Sequence, residues 1–168
     1  MDVQIRRLTA ADTGAYAALR REGLADTPHA FTASDGDDPG QDEAGVARSL
    51  AGPGYAIFGA FAADGRLVGA AGINRETRLK RAHRAWVWGV YVTPAFRGRG
   101  LARGLVGACV DAAKGWDGVH RVQLSVSATS DTARRVYESL GFVAWGTEID
   151  ALRTGGKSYD EVYMSLAI

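Results

Sequence analysis

Apolar and polar positions along this chain follow two rhythms, and the places where one gives way to the other mark the elements. "VQIRRL" (3–8) alternates with the period of two that a strand imposes. "TAADTGAYAALRREGLA" (9–25) carries Leu8, Tyr16, Leu19 and Leu24 at helical spacing, with Thr9 as a possible N-cap. "DTPHAFTASDGDDPGQDEAG" (26–45) is rich in Asp, Gly and Pro and reads as a loop, with a short helix at its end over "EAGVARSLAG". "YAIFGAFAA" (55–63), "DG" (64–65) and "RLVGAAGINRET" (66–77) predict a hairpin, because Asp-Gly supplies the positive φ of a tight turn. "AWVWGVYV" (85–92) is a long apolar strand. Residues 100–116 predict a helix with Leu101, Leu105, Cys109, Ala112 and Ala113 on one side. "RVQLSV" (121–126) is a strand. "SDTARRVYESLG" (130–141) is a helix with Ser130 or Asp131 as cap and Gly141 as stop. "FVAWGTEIDALR" and "SYDEVYMSLAI" are strands joined by "TGGK".

Strands that follow one another directly can form a meander. Strands separated by the two late helices need crossovers. The pattern therefore predicts an α/β (α+β) architecture, a mixed sheet with helices on its faces. No repeat or linker divides the chain, so residues 1–168 are read as a single domain. Strand alternation puts Trp86, Trp88 and Val90 on one face and Val87, Gly89 and Tyr91 on the other.

Composition narrows the function classes. The chain is 46% hydrophobic and 23% charged, with a net charge of +1. That balance argues against a protein built to coat nucleic acid. The lone cysteine, Cys109, cannot form an internal disulfide and is expected in a helix core. Arg6 and Arg7 near the start precede no apolar core of a secretion signal, and no apolar run approaches the ~18 residues of a membrane span. A cytoplasmic protein with no membrane or nucleic-acid partner is expected.

The stretch that demands chemistry is "VTPAFRGRGLARGL" (92–105). Glycine is costly at a helix mouth unless the backbone needs it. A helix N-terminus offers free N–H groups to phosphate, and Gly98 and Gly100 would let a phosphate approach. Arg97 and Arg99 could add charge-assisted bonds. Taken alone, the same letters also suit a glycine turn with solvated arginines. No lysine follows as a P-loop requires, and Arg103 stands where the dinucleotide fingerprint needs its third glycine.

A third pattern fits. The segment resembles the GNAT acetyltransferase superfamily, whose signature Arg/Gln-x-x-Gly-x-Gly/Ala follows a strand ending in Val-x-Pro. Here Arg97-Gly98-Arg99-Gly100-Leu101-Ala102 follows Val92-Thr93-Pro94. The family's second block, Asn-x-x-Ala-x-x-x-Tyr-x-x-x-Gly-Phe, appears as Ser130-Asp131-Thr132-Ala133, then Tyr137, then Gly141-Phe142. The resemblance covers nearly the whole chain from Val3. It departs at Ser130, which stands where the family has asparagine and puts that contact with the cosubstrate in doubt.

The resemblance implies a GNAT-type, mostly antiparallel seven-stranded sheet, splayed at the fourth and fifth strands. It implies acetyl transfer from acetyl-CoA, a cosubstrate, to a primary amine by direct attack, with no metal. The alternative on the same fold is a catalytically weak acyl-CoA-binding sensor. By the same likeness, the backbone at Val90, Tyr91 and Val92 would hold the pantetheine arm. Arg97, Gly98, Arg99, Gly100, Leu101, Ala102 and Arg103 would hold the pyrophosphate, with Ser130 and Ala133 alongside. Tyr137 would be the general acid, its phenol being protonated at neutral pH; on its own it equally suits a packed aromatic. The acceptor would be a small-molecule or peptide amine, and the protein a monomer or homodimer.

The general base is open among Glu76, His83, His29 and Glu22. Trp86, Trp88 and Tyr91, with Phe31, read either as core or as a wall of the acceptor pocket. The carboxylates Asp35, Asp37, Asp38, Asp42 and Glu43 read either as a solvated loop or as an attraction for a cationic amine.

Overall fold

The computed structural model describes residues 3–168. In chain order the elements are β1 (Val3–Arg7), α1 (Thr13–Asp26), α2 (Glu43–Ala51), β2 (Tyr55–Ala62), β3 (Leu67–Arg75), β4 (Arg84–Val92), α3 (Leu101–Lys114), β5 (Arg121–Ser127), α4 (Asp131–Ser139), β6 (Val143–Thr154) and β7 (Lys157–Ala167). The sequence predicts this order. The first helix starts later than expected: Thr9 caps a short 3-10 turn, Ala10–Asp12, with its N–H donating to Asp12 Oδ2 at 2.8 Å.

The seven strands form one mixed sheet in the order β1-β2-β3-β4-β5-β7-β6. Every neighbouring pair is antiparallel except β4 and β5. That parallel pair is joined only where Arg84–Trp86 meets Arg121–Gln123. Beyond Trp86 the two strands part.

The parting begins at a bulge. Ala70 faces Tyr91 and Gly72 faces Trp88, so Ala71 alone opposes both Gly89 and Val90. One extra residue on β4 bends that strand and disrupts the ladder. Gly89 sits at φ +63°, a backbone conformation that glycine adopts freely.

The bulge also corrects the predicted faces of β4. Strict alternation holds only up to Trp88. Past the extra residue, Val90 packs with Val87 and Val92 against α3, while Tyr91 joins Trp88 on the opposite side. The physical reason is that a single inserted residue shifts a period of two by one step.

Two cores hold the sheet. On one face Leu105, Val106 and Cys109 of α3 pack with no exposure against Ile73, Val122, Leu124 and Met164. Cys109 is thus a core residue, and burial pushes its thiol well above the ordinary range. On the other face Tyr16, Leu19 and Leu24 of α1 pack with Val46, Ile57, Phe31 and Tyr91. Among the described residues no helix is long and apolar enough to cross a membrane.

The acidic loop is solvated at Asp35, Asp37, Asp42 and Glu43, and Asp38 alone turns inward. Asp38 is buried and accepts two bonds from Arg20, at 2.9 and 2.8 Å. Asp42 caps α2 through the Gly45 N–H, Asp37 accepts from the Ser34 N–H, and Asp35 accepts from Gln41. These four aspartates help to shape the loop. The Arg20–Asp38 pair ties that loop to α1 from inside the second core. Removing one partner of a buried pair strands the other charge, at about 3–5 kcal/mol. Asp38→Ala should lose stability of that order in urea denaturation, far more than Asp37→Ala.

Candidate active site

A cleft of about 690 Å³ opens beside the end of β4, between the N-termini of α3 and α4. Its walls come from three segments. The end of β4 supplies Val90, Tyr91 and Val92. The following turn and first turn of α3 supply Arg97, Gly98, Gly100, Leu101, Ala102 and Arg103. The start of α4 supplies Ser130, Ala133 and Tyr137. Every residue expected to meet the cosubstrate lines this cleft except Arg99. Arg99 instead turns toward the Ala95 carbonyl, 3.2 Å away, and stacks over Phe96.

The glycine turn is built for close approach. Gly98 and Gly100 both have φ +75°, and a Cβ on either would meet open space. Backbone conformation therefore demands glycine here, and neighbouring packing does not. Gly100 is the N-cap of α3, and its carbonyl accepts from the Gly104 N–H at 3.0 Å. The amides of residues 101–103 have no intrahelical acceptor and form the positive end of the helix.

Arg97 is held in place by the protein. Its Nε donates to the Val92 carbonyl at 2.9 Å, its guanidinium pairs with Asp26 at the end of α1, and it lies over the Tyr91 ring. It thus joins β4, α1 and the glycine turn. Arg103 is exposed at the rim.

The β4 side of the cleft has unpaired backbone. β5 pairs with β4 no further than Trp86, so the edge from Val87 to Val92 that turns toward β5 lacks a strand partner. Across the opening stands Tyr137, buried at 6% exposure and edge-on to Phe142. No described residue hydrogen-bonds its hydroxyl. Burial pushes its phenol well above the ordinary tyrosine range, so it stays protonated. Ser130 also lines the cleft; its side chain does not cap α4, and its backbone N–H donates to the Ser127 carbonyl at 2.9 Å.

The four base candidates separate in space. Glu76 pairs with Arg81 and accepts from Trp86 Nε1 at 2.9 Å, at the closed end of the β4–β5 junction. His83 lies at that end too, its carbonyl accepting from the His120 and Arg121 amides. Glu22 is bonded to the Tyr91 and Thr93 hydroxyls. His29 stacks on Tyr159 of β7 at 5.3 Å. Glu76 and His83 are therefore removed from the cleft. Phe31 and Tyr91 are buried in the α1 core, where Trp88 packs against them half-buried, and Tyr91 also lines the cleft. Trp86 meets Tyr163 edge-on.

One residue of interest escapes the sequence reading. Glu161 on β7 is buried at 9% exposure, and its carboxyl is held above the ordinary range, chiefly by burial. The sequence signal was an acidic residue within an apolar strand, "SYDEVYMSLAI".

With this geometry, comparison with known proteins is decisive at the level of family. The model of the acetyltransferase (GNAT) family matches residues 17–142, and the chain belongs to that family. It is 38% identical over 121 residues to the N-alpha-acetyltransferase RimI of Mycobacterium tuberculosis, covering 72% of each chain. It is 30% identical over 102 residues to the L-amino acid N-acetyltransferase AaaT of Escherichia coli, covering 61% of this chain and 62% of that one. The fold matches a GNAT superfamily phosphinothricin acetyltransferase of Sinorhizobium meliloti, solved with acetyl-CoA, at a TM-score of 0.86 and 19% identity, over 100% of this chain and 89% of that one.

The buried phenols set an alkaline limit on stability. Burial raises Tyr16, Tyr91 and Tyr137, the last two lining the cleft. Unfolded tyrosines lose their protons near pH 10, while the folded chain holds them higher. The native state then binds more protons, so stability falls as pH rises above about 10. Each such phenol contributes about 1.4 kcal/mol per pH unit of that window. Urea midpoints should fall between pH 9 and 11, and Tyr137→Phe should flatten that slope.

Proposed function

We propose that this chain transfers an acetyl group from acetyl-CoA to a primary amine by direct attack on the thioester. The observation that carries the reading is one cleft joining a glycine turn at a helix N-terminus, an unpaired strand edge and an unbonded tyrosine hydroxyl. These are three things the reaction needs: an anion cradle, backbone partners for an extended arm, and a proton donor.

The α3 N-terminus with Gly98 and Gly100 takes the pyrophosphate on backbone N–H groups. Arg97, committed to Asp26 and Val92, fixes the turn, while Arg103 at the rim is free to reach a phosphate oxygen. The backbone of Val90 and Val92 pairs with the pantetheine amides and orients the thioester. Tyr137 gives its proton to the departing sulfur. Its raised pKa keeps that proton in place until a thiolate forms.

The relatives' names support an α-amine as the acceptor. One is named for L-amino acids and the other as an N-alpha-acetyltransferase. Both names point to an α-amino group, free or at a peptide N-terminus. CoA release should be measured with L-amino acids, their amides and short peptides. Acetyl-CoA binding without release for any amine would leave an acyl-CoA-binding protein in place of an enzyme.

At about 100 times its dissociation constant, acetyl-CoA should stabilise the fold by about 2.7 kcal/mol, read as an upward shift of the melt. Gly100→Val should abolish that shift. Its own cost to the fold should be only about 1–2 kcal/mol, from forcing a side chain into the left-handed region. A folded variant that still binds acetyl-CoA like the parent would remove the cradle. Tyr137→Phe should lower turnover by about 10²- to 10⁴-fold with little change in acetyl-CoA affinity. Equal turnover would make Tyr137 a packing residue.

A further inference from the structure

The floor of the β4–β5 opening carries a polar stripe that the reaction described so far does not use. Residues directly opposite in an antiparallel pair point to the same face. Ser127 faces Glu161 and Ser125 faces Tyr163, while Val122, Leu124, Val126, Val162 and Met164 between them fill the core under α3. Gln123, Ser125, Ser127 and Glu161 therefore project to the α1 side. Gln123, Ser127 and Glu161 are each exposed by less than a tenth, and Gln123 Oε1 has no partner among the described residues. Burying polar groups in a sheet costs stability unless they are satisfied. The stripe lies beside the break between β4 and β5, with the Ser127 hydroxyl also 3.0 Å from that of Thr129.

A second cavity of about 80 Å³ passes between the parted strands, lined by Gly89, Val90, Ser125, Ser127 and Tyr137, among others. It is polar on the β5 side and large enough for water. It connects the strand edge proposed to hold the thioester with the serines beside Glu161. The Pro28–Ala30 turn packs over β5 and β6 at this point, and its Ala30 lines both cavities.

We propose that Glu161 is the final proton acceptor for the attacking amine, reached through water held between β4 and β5 by Ser125 and Ser127. This rests on the acetyl-transfer reading. An ammonium acceptor loses two protons in forming the amide. The first goes through water to the Glu161 carboxylate and on to solvent, freeing the nitrogen lone pair. The nitrogen then bonds to the carbonyl carbon as the carbon–sulfur bond breaks. Tyr137 protonates the sulfur and is recharged by the second nitrogen proton. The products are amide, thiol and one released proton.

The surroundings suit the role. Burial raises Glu161, Ser125 lowers it in part, and Glu148 on β6 raises it again, so the carboxylate is more basic than an exposed one. Glu148 itself accepts from the Tyr163 hydroxyl at 2.6 Å. The other titratable groups on this face are Tyr159 and Tyr163 on β7, His29, stacked on Tyr159, and Arg121 at the far end of β5, whose Nη1 donates to the Ser165 hydroxyl at 3.2 Å. Among the described residues no lysine or arginine forms an ion pair with Glu161.

The test uses the whole chain, with alanine amide as acceptor and CoA release as the rate. Glu161→Gln, which keeps the side-chain shape, should lower kcat about 10²-fold or more at neutral pH. It should also erase the acidic limb expected in the parent's kcat, while acetyl-CoA affinity and melting temperature hold. Glu161→Asp should restore part of the rate, and Ser125→Ala with Ser127→Ala should lower it. His29→Gln should keep the parent's limb. An unchanged limb in Glu161→Gln, or its loss in His29→Gln, overturns the proposal. An independent readout needs no turnover: with ¹³C-labelled glutamate, the carboxyl resonance missing from Glu161→Gln should titrate above the ordinary ~4.3. An ordinary value also overturns the assignment. Failure of alanine amide to react, with a raised Glu161, would count against the α-amine reading and leave the buried carboxyl beside the gap supported.

Discussion

The extra residue at Gly89 is the constraint on which this molecule turns. Without it, β4 and β5 would pair along their length and close the sheet. With it, β4 bends away after three paired residues, leaving an edge of backbone N–H and C=O groups without strand partners. Such groups are costly when hidden from water or ligand. The sheet tolerates them because the break is open, as a cleft on one side and a gap through its middle. The same insertion sends Val90 to the α3 core and Tyr91 to the α1 core, so the strand locks both layers at the point where it opens.

α1 braces the bulge from below. Arg20 is held by Asp38 and lies over Phe31, and its remaining Nη1 points at Gly89, 3.0 Å from where a Cβ would sit. That nitrogen and the Tyr16 hydroxyl are buried without partners. A side chain at position 89 would thus meet a fixed guanidinium as well as a strained backbone. The end of α1 then reaches the glycine turn through Asp26 and Arg97. One helix therefore sets both the bend in β4 and the position of the turn that follows it, which keeps the two walls of the cleft in register.

Much of this was legible in the letters. Asp64-Gly65 marked the β2–β3 hairpin, and Arg97-x-x-Gly100-x-Ala102 marked the turn before α3, because each is a local backbone requirement. The faces of β4 past Trp88 were not legible. Alternation is a rule about uninterrupted strands, and a glycine within an apolar run does not announce on which side of it the register slips. Asp38 was hidden for a related reason: composition shows that it is acidic but not that Arg20, 18 residues earlier, will meet it inside the core, while the other loop carboxylates are exposed as a solvated loop requires. Glu161 was hidden by long-range pairing. Its neighbour Ser127 is a β5 residue, brought alongside only when β7 inserts between β5 and β6.

The proposed acid and the proposed proton acceptor draw their character from one physical cause. Burial disfavours the charged form of any group. For the Tyr137 phenol this means holding a proton more tightly, which prevents premature ionisation in a cleft proposed to receive a thiolate. For the Glu161 carboxyl the same effect makes the anion a stronger base than it would be in water. Tyr137 lines the gap and packs with the α3 core, while Glu161 lies on the α1 face beside Ser127, which lines the gap from β5. Burial beside the break thus tunes a donor and an acceptor together, helped at Glu161 by the neighbouring Glu148 and with no cation paired to either among the described residues. The arrangement has a limit: a cation introduced beside Glu161 would lower its pKa and weaken it as a base, even with every hydrogen bond intact. The absence of an ion pair at Glu161 among the described residues is therefore part of the proposed chemistry.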